Sequence, residues 1–214
     1  CCGSASGDII AGGSFTSRIA RWDGVTWSAL GVGLSSTVES LLVRPNGHLV
    51  AGGSFQNAGG DPSADYIAEW DGSTWSALGG SGNGTVYALW NLPNGDLVAG
   101  GSFSSLGGAS AARIARWNGT SWSSVGIGLG TSSSSPVYCL SQLVQGDIIA
   151  GGAFTSSGPA DATGVTALRI ARWNGSTWSA LSAGTDTTPN IQAMISLPGG
   201  GLIAAGNFFT IGGV

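Results

Sequence analysis

The phrase Ala-Gly-Gly-Ser-Phe recurs along this chain about every fifty residues, and this repeat constrains the fold more than any other feature. Four of its five copies are followed by two Trp residues that flank a Gly-containing turn. The Phe residues of the five copies are separated by 40, 48, 51 and 54 residues: Phe15, Phe55, Phe103, Phe154 and Phe208. Such spacing is typical of propeller blades and is too long for most helical or leucine-rich repeats.

The third copy shows the repeat unit most clearly, and its pattern predicts four strands. Residues 86–90 and 96–103 are apolar runs joined by a Pro-Asn-Gly turn, and residues 113–117 and 121–125 follow after a loop of small residues. An Asn-Gly or Asp-Gly pair tolerates positive φ at both positions, so we expect a two-residue hairpin between the last two strands of each unit. These pairs are Asp23-Gly24, Asp71-Gly72, Asn118-Gly119 and Asn174-Gly175.

The chain is predicted to be all-β. No stretch places apolar residues at helical spacing over three turns, and each of the 39 glycines would cost a helix roughly 1 kcal/mol relative to Ala. We therefore expect a β-propeller of four-stranded antiparallel blades, with about four to five blade equivalents in one domain. The predicted blades are residues 38–79, 86–126 and 137–181, with incomplete blades at 1–31 and 191–214.

Both ends of the sequence fall inside the repeat. Internal alignment places Cys1 opposite Leu89 and Cys2 opposite Trp90, and the last residues, up to Val214, align with a loop that precedes a third strand. The repeat predicts seventeen strands, which cannot be divided into complete blades of four strands each. We therefore expect a segment of a longer chain. The adjacent cysteines fit the remnant of a strand better than a lipidated start or an intermolecular disulfide.

Several features of the unit resemble a kelch repeat: a double Gly ending strand two, an aromatic before the turn in strand three, and Trp, small residues and Leu in strand four. The longer phrase, from Gly-Gly-Ser-Phe through Arg-Ile-Ala-Arg-Trp-Asp-Gly to Thr-Trp-Ser-Ala-Leu-Gly, is similar to kelch-like repeats of large bacterial secreted or surface proteins and of the fungal cortical cell-polarity marker family. The resemblance covers nearly the whole chain. It implies a β-propeller with a surface or adhesion-type role and brings no catalytic motif.

The repeated aromatic residues are predicted to form the cores of the blades. They are Phe15, Trp22, Trp27, Phe55, Trp70, Trp75, Phe103, Trp117, Trp122, Phe154, Trp173, Trp178 and Phe208.

An acid and a base also repeat. Strand two follows an Asp in three units, and the same units carry an Arg before their first Trp, whereas the second unit has His48 and Glu69 at these positions. Antiparallel neighbours bring the start of one strand beside the end of the other, which predicts cross-strand pairs rather than a ring of anion-binding guanidinium groups. The predicted pairs are Asp8 with Arg21, His48 with Glu69, Asp96 with Arg116, and Asp147 with Arg172.

Composition excludes several classes of function. Only 8% of the residues are charged, the net charge is −4, and all seven basic residues are Arg, which argues against a nucleic-acid surface. No apolar run approaches the roughly 18 to 20 residues that span a bilayer. Cys139 replaces an Ala of the repeat, so we expect a small buried residue there.

Two enzyme classes that use propellers lack their motifs here. Residues 71–75, Asp-Gly-Ser-Thr-Trp, come close to the Asp-box of sialidases but lack one residue between Asp and Gly. A copper oxidase needs several His and Tyr ligands, and this chain has one His and three Tyr. We expect no cofactor and no metal, and we expect no enzyme because no catalytic constellation is complete. Asn83, Asn118 and Asn174 match the glycosylation pattern, although the last two are already explained as hairpin turns.

The loops between strands two and three, at residues 56–65, 104–112 and 155–168, differ from blade to blade, as do the links between blades. Loops on a rigid scaffold carry binding residues, so this face is the predicted contact surface for a protein or glycan. Its acidic residues are Asp61, Asp65, Asp161 and Asp186. We expect a noncatalytic binding or structural module, extracellular or at the cell surface. The alternatives are part of a secreted enzyme whose catalytic residues lie elsewhere, and a subunit of a homo-oligomeric or filamentous assembly.

Overall fold

The computed structural model describes residues 2–3, 7–130, 134–157, 166–181, 190–208 and 210. This part of the chain forms twenty short strands and one turn of 3-10 helix, at Ala58–Gly60. The strands are β1 Cys2–Gly3, β2 Ile9–Gly12, β3 Ile19–Trp22, β4 Trp27–Ala29, β5 Val38–Val43, β6 Leu49–Gly53, β7 Ile67–Trp70, β8 Trp75–Ala77, β9 Val86–Asn91, β10 Leu97–Gly101, β11 Ser105–Leu106, β12 Ala109–Ser110, β13 Ile114–Trp117, β14 Trp122–Ser124, β15 Val137–Gln142, β16 Ile148–Gly152, β17 Ile170–Trp173, β18 Trp178–Ala180, β19 Ile191–Ser196 and β20 Leu202–Gly206.

Four antiparallel sheets of four strands follow one another along the chain. Blade 1 is β1–β4, blade 2 is β5–β8, blade 3 is β9, β10, β13 and β14, and blade 4 is β15–β18. The described part of blade 5 is the pair β19–β20. The first strands of successive blades contact one another, so the sheets fan out from a common inner edge. This is the arrangement expected of propeller blades.

Strand β1 is the strand remnant predicted at the adjacent cysteines. It pairs with β2 so that Cys2 lies opposite Ile10, which is the register of Trp90 opposite Val98 in blade 3. Two short strands were not anticipated from the sequence: β11 and β12 form a small ribbon within the loop between strands two and three of blade 3. Cys1 and Val214 lie outside the described residues.

The cores lie between the sheets rather than within them. Four clusters of buried apolar residues each join two successive blades. In the cluster between blades 2 and 3, Val50 and Ile67 of one sheet meet Leu97, Phe103 and other residues of the next. Each blade thus buries one face against the blade before it and the other against the blade after it.

The first Gly of each Gly-Gly pair is required by this packing. A Cβ atom on Gly12, Gly52 or Gly100 would lie 2.5–2.6 Å from Cγ1 of the Val that begins the next blade. Side-chain carbons do not approach so closely, so an Ala at these positions would push the blades apart. The repeated Gly is therefore explained by the close approach of a neighbouring sheet.

The second Trp of each unit joins its blade to the preceding one. The indole Nε1 of Trp75 donates to the Leu30 carbonyl at 3.1 Å, that of Trp122 to the Leu78 carbonyl at 2.7 Å, and that of Trp178 to the Val125 carbonyl at 2.9 Å. Each acceptor follows the fourth strand of the preceding blade. A buried indole N–H needs such a partner, and here the backbone of the neighbouring blade supplies it.

Two of the predicted core aromatics are exposed, and Trp22, Trp70 and Trp173 are half-buried. Phe55, Phe103 and Phe154 are fully buried, whereas 41% of Phe15 and 54% of Trp27 are exposed. The difference has a simple cause: these positions are buried by the preceding blade, and within the described residues no blade covers this face of blade 1. Phe208 is half-buried and packs against the cluster between blades 4 and 5.

The predicted two-residue hairpins are wrong. The two Trp residues of each unit pair directly, as Trp22 with Trp27 does, which leaves a connection of four residues. Only its Gly has positive φ, at 99° in Gly24. The Asp23 carboxylate instead accepts hydrogen bonds from the backbone N–H groups of Val25 and Thr26, both at 2.8 Å. This side-chain turn removes the need for a left-handed Asp or Asn.

Candidate functional site

The blades present two different ends. Because neighbouring strands are antiparallel, the turns between strands one and two lie at the same end as the Trp hairpins. We call this the uniform end, since its turns are alike in every blade. The opposite end carries the loops between strands two and three and the links between blades, and we call it the loop face.

The four predicted acid and base pairs lie at the uniform end, and the structure brings each pair together. Arg21 Nη2 lies 2.7 Å from Asp8 Oδ2, and His48 Nδ1 lies 3.4 Å from Glu69 Oε1. In the third and fourth blades the Arg Nε donates to the Asp Oδ2 at 2.5 Å, from Arg116 to Asp96 and from Arg172 to Asp147. The three Arg–Asp pairs neutralise one another's charge across the ladder.

Arg44 is a third member of the pair in blade 2 that sequence reasoning missed. Its Nη1 donates to Glu69 Oε1 at 2.9 Å, and only 13% of the Arg44 side chain is exposed. The equivalent positions in later blades are Leu92 and Leu143. The basic group has therefore moved from strand three to the turn, and a Leu position occupied by Arg is the signal that would have revealed it.

Replacing Glu69 with Ala should lower the free energy of unfolding by about 2–4 kcal/mol, because it leaves Arg44 largely buried without its carboxylate. Chemical denaturation measures the change. The control is the triple variant Arg44→Leu, His48→Asp, Glu69→Arg, which installs the residues of blade 3 and should approach the stability of the parent chain. A Glu69→Ala variant as stable as the parent would contradict this account of the pair.

Asp61 and Asp65, the two described acidic residues of the predicted contact surface, are held by hydrogen bonds within their own blade. The Asp61 carboxylate accepts from the Ser63 hydroxyl at 2.6 Å and from the Ala77 backbone N–H at 3.0 Å, and Asp65 Oδ1 accepts from the Asn57 N–H at 2.8 Å. Hydrogen bonds, chiefly from Ser63, lower the pKa of Asp61. These two carboxylates hold the loop of blade 2. Asp161 and Asp186 lie outside the described residues.

The three candidate glycosylation residues also hold turns or loops. Asn118 Oδ1 accepts from the Thr120 and Ser121 N–H groups, both at 2.9 Å, and Asn174 makes the equivalent bonds in blade 4. Asn83 Oδ1 accepts from the Ser104 N–H at 2.8 Å and so joins the link before blade 3 to the loop of that blade. All three side-chain oxygens therefore have a structural role.

A second row of Arg residues was not predicted. The residue before strand three is left-handed in all four complete blades, with φ between 62° and 68° at Arg18, Tyr66, Arg113 and Arg169. The Arg113 guanidinium donates to the Phe103 carbonyl at 2.6 Å, and the other two Arg side chains donate to backbone carbonyls in the same way. Burial lowers the pKa of Arg113. The three Arg side chains thus stabilise the loops between strands two and three of blades 1, 3 and 4 by bonding to the backbone at the start of each loop.

A β-bulge recurs at the inner edge of the loop face. In blades 2 to 5 the pairing of strand one skips its second residue. The skipped residues are Glu39, Tyr87, Tyr138 and Gln192, which we call the bulge row. The rings of Tyr87 and Tyr138 meet edge to face, with centroids 5.2 Å apart. Burial, together with the neighbouring Tyr87, raises the pKa of Tyr138, so its hydroxyl stays protonated at neutral pH.

Cys139, which follows the bulge in blade 4, is buried and free. Burial raises the pKa of its thiol to about 12. A thiol that stays protonated at neutral pH is a poor nucleophile and packs as a small apolar residue.

In the described ranges no three His, Cys, Asp or Glu side chains are grouped so that they could hold a metal ion. The described residues also include no helix that could span a membrane.

Comparison with known proteins agrees with this geometry. A family model described as a domain of unknown function (DUF5122) β-propeller matches residues 92–119, which run from the turn after β9 to the Asn-Gly turn of blade 3. The chain is a β-propeller domain. Among solved structures, this propeller is similar to PorZ, described as an essential bacterial surface component of the type-IX secretion system of human oral-microbiomic Porphyromonas gingivalis. No curated protein matches the sequence significantly.

The likeness to PorZ is one of fold. The identity is 13% and the TM-score is 0.50, and the similarity covers 91% of the propeller but 29% of the PorZ chain. The propeller thus spans less than a third of that protein. Neither match names a kelch repeat or the fungal marker family, so that finer resemblance stays a prediction.

Proposed function

We propose that this propeller is a noncatalytic module that binds a protein or glycan partner through its loop face, outside the cell or at the cell surface. The observation that carries the proposal is the contrast between its two ends. At the uniform end an acidic and a basic side chain pair in every complete blade, and the turn carboxylates Asp23 and Asp71 accept hydrogen bonds from their own backbone. The loop face differs from blade to blade and is held by side chains that are buried or half-buried.

The loop face has the properties of a rigid contact surface. In blade 3 the ribbon β11–β12 is part of this face, with Leu106 buried in the core, and the Gly107 N–H donates to the Ser81 carbonyl at 2.9 Å, which joins the ribbon to the link before that blade. In blade 2 the loop is held by Asp61 and Asp65 as described. Binding residues on loops that a scaffold holds in place lose little freedom on association. The similarity to a surface component of a secretion system is compatible with a location outside the cell.

Site-specific photocrosslinking tests the proposal. A benzophenone amino acid is placed at Gln56 or Ser110 on the loop face, and at the exposed Asn46 or Gln145 on the uniform end as matched controls. After incubation with the cell-envelope fraction of the source organism, we expect crosslinked products from the two loop-face positions only. Equal products from both ends, or products from the uniform end alone, would exclude the loop face as the contact surface.

Self-assembly is a second candidate function, favoured by large apolar side chains that are exposed on blades 1 and 5. Blade 1 exposes Phe15 and Trp27, at positions that the preceding blade buries elsewhere, and blade 5 exposes Ile195 of β19 and Ile203 of β20. Light scattering after gel filtration tests it. Assembly that is lost in Trp27→Ser and retained in Val32→Ser, a control at a residue that is 85% exposed, would support this role. A chain that is monomeric at every concentration would exclude it.

A further inference from the structure

We propose that the bulge row, Glu39, Tyr87, Tyr138 and Gln192, is the ligand-contacting row of the loop face and that its ligand is a neutral saccharide. This inference rests on the proposed function and gives that function a site and a ligand class.

The bulges bring four side chains to one place. Each is the second residue of strand one, which lies near the loop face, and the residue before it is buried: Val38, Val86, Val137 and Ile191. The bulge residues themselves are half-buried at the two Tyr and exposed at Glu39 and Gln192. A β-bulge re-aims one side chain relative to its sheet. The contact between the rings of Tyr87 and Tyr138 shows that successive blades direct this side chain into a common space.

The residue type varies along the bulge row, whereas it is nearly constant at the positions of the repeat that packing requires. The residue before the bulge is Val, Val, Val and Ile, and its partner in strand two is a Gly in every case. Packing between blades explains these residues. The bulge position holds Glu, Tyr, Tyr and Gln, which differ in size and charge but all carry a hydrogen-bonding group. A position that is free of packing demands and polar in four successive blades is suited to a ligand.

The chemistry of the row fits a sugar. Two phenol hydroxyls, a carboxylate and a primary amide offer both donors and acceptors to the hydroxyl groups of a saccharide. The half-buried Tyr rings offer apolar surface to the C–H faces of a pyranose ring, and each ring ends in a hydroxyl that can both donate and accept a hydrogen bond. The row has one carboxylate and no basic residue, so it is poorly suited to a phosphorylated or sulfated ligand.

A peptide fits the same place less well. Peptides bind sheets by adding a strand to a free edge, or bind as a helix in an apolar groove. Here the inner edge of each blade is interrupted by its bulge and lies against the first strand of the next blade. Side-chain contacts without backbone pairing suit a saccharide better than an extended chain.

Calorimetric titration with neutral hexasaccharides of glucose, mannose and N-acetylglucosamine tests the proposal, and a basic octapeptide serves as the competing probe. At least one saccharide should bind the intact chain. Tyr138→Ala and Gln192→Ala should each weaken that binding about tenfold or more, which corresponds to losing one good contact. The matched control is Gln145→Ala, the same amide removed from the uniform end, and it should leave binding unchanged. Unaltered thermal midpoints establish that the variants fold.

Each other outcome overturns the inference. If Tyr138→Ala and Gln192→Ala do not weaken saccharide binding, the saccharide binds elsewhere on the chain. If no saccharide binds, the ligand is not a neutral saccharide. Binding of the basic peptide that depends on Glu39 would make the row a peptide site. The photocrosslinking experiment separates these results from a failure of the proposed function, because a loop-face crosslink that persists in the Tyr138→Ala variant would retain the contact surface without this row.

Discussion

Replacing Phe103 with Ala is expected to lower the free energy of unfolding by about 3–5 kcal/mol, the usual cost of removing a buried Phe side chain from a core. Phe103 is fully buried between blades 2 and 3, among residues such as Val50, Ile67 and Leu106. Removing its ring leaves a cavity that two sheets border, and neither sheet can collapse into it without moving its own strands. Urea denaturation followed by tryptophan fluorescence measures the change.

The same substitution at Phe15 is the matched control. Phe15 occupies the same position of the repeat, but 41% of it is exposed because no described blade covers it. We expect Phe15→Ala to cost about 1 kcal/mol or less, as substitutions at exposed positions usually do. Equal losses at the two positions would mean that Phe103 is not buried by the neighbouring blade.

Replacing Gly101 with Ala should have the second largest effect, a loss of about 3 kcal/mol, because added atoms in a packed site force backbone shifts. A Cβ atom at this position would lie well inside contact distance of the Thr85 carbonyl oxygen and 2.9 Å from Cδ1 of Phe103. The same carbonyl accepts a hydrogen bond from the Ser102 N–H at 2.9 Å, so it cannot move away freely.

Gly13 provides the control for this prediction. It is the second Gly of the repeat in blade 1, and a Cβ there would meet only the Phe15 ring, at 3.5 Å, which is ordinary contact. Gly13→Ala should be close to neutral, since the unfolded chain loses freedom that partly offsets any small strain. A Gly101→Ala variant that is equally stable would show that strand one does not press against this Gly.

The sequence predicted the blades and the ion pairs because both depend on periodicity. Repeated positions have the same neighbours within their own blade, so a regular pattern such as Asp96 with Arg116 translates directly into a contact in the antiparallel register. The exposed Phe15 and Trp27 could not be predicted in this way. Their environment depends on a neighbouring sheet and not on their own unit.

Other features could not be predicted from the sequence because they depend on which hydrogen bonds and packing contacts form locally. The Asx turn at Asp23 replaces the expected left-handed hairpin since the carboxylate satisfies two backbone N–H groups at once. The bulge at Tyr87 depends on how strand one meets the Gly-Gly pair, and the alternation of side chains alone does not reveal it. Arg44 stands where the later units have Leu, and the repeating Asp and Arg positions do not reveal a third partner there.

The second Trp of blades 2 to 4 packs each blade against the preceding one, and hydrogen exchange of the indole N–H groups, followed by NMR, measures this packing. Trp75, Trp122 and Trp178 each donate to a carbonyl of the preceding blade and are 5–6% exposed, whereas Trp27 is 54% exposed. We expect slow exchange at the first three and fast exchange at Trp27, because only buried and bonded N–H groups are protected. Fast exchange at Trp75, Trp122 and Trp178 would contradict the packing of successive blades against one another.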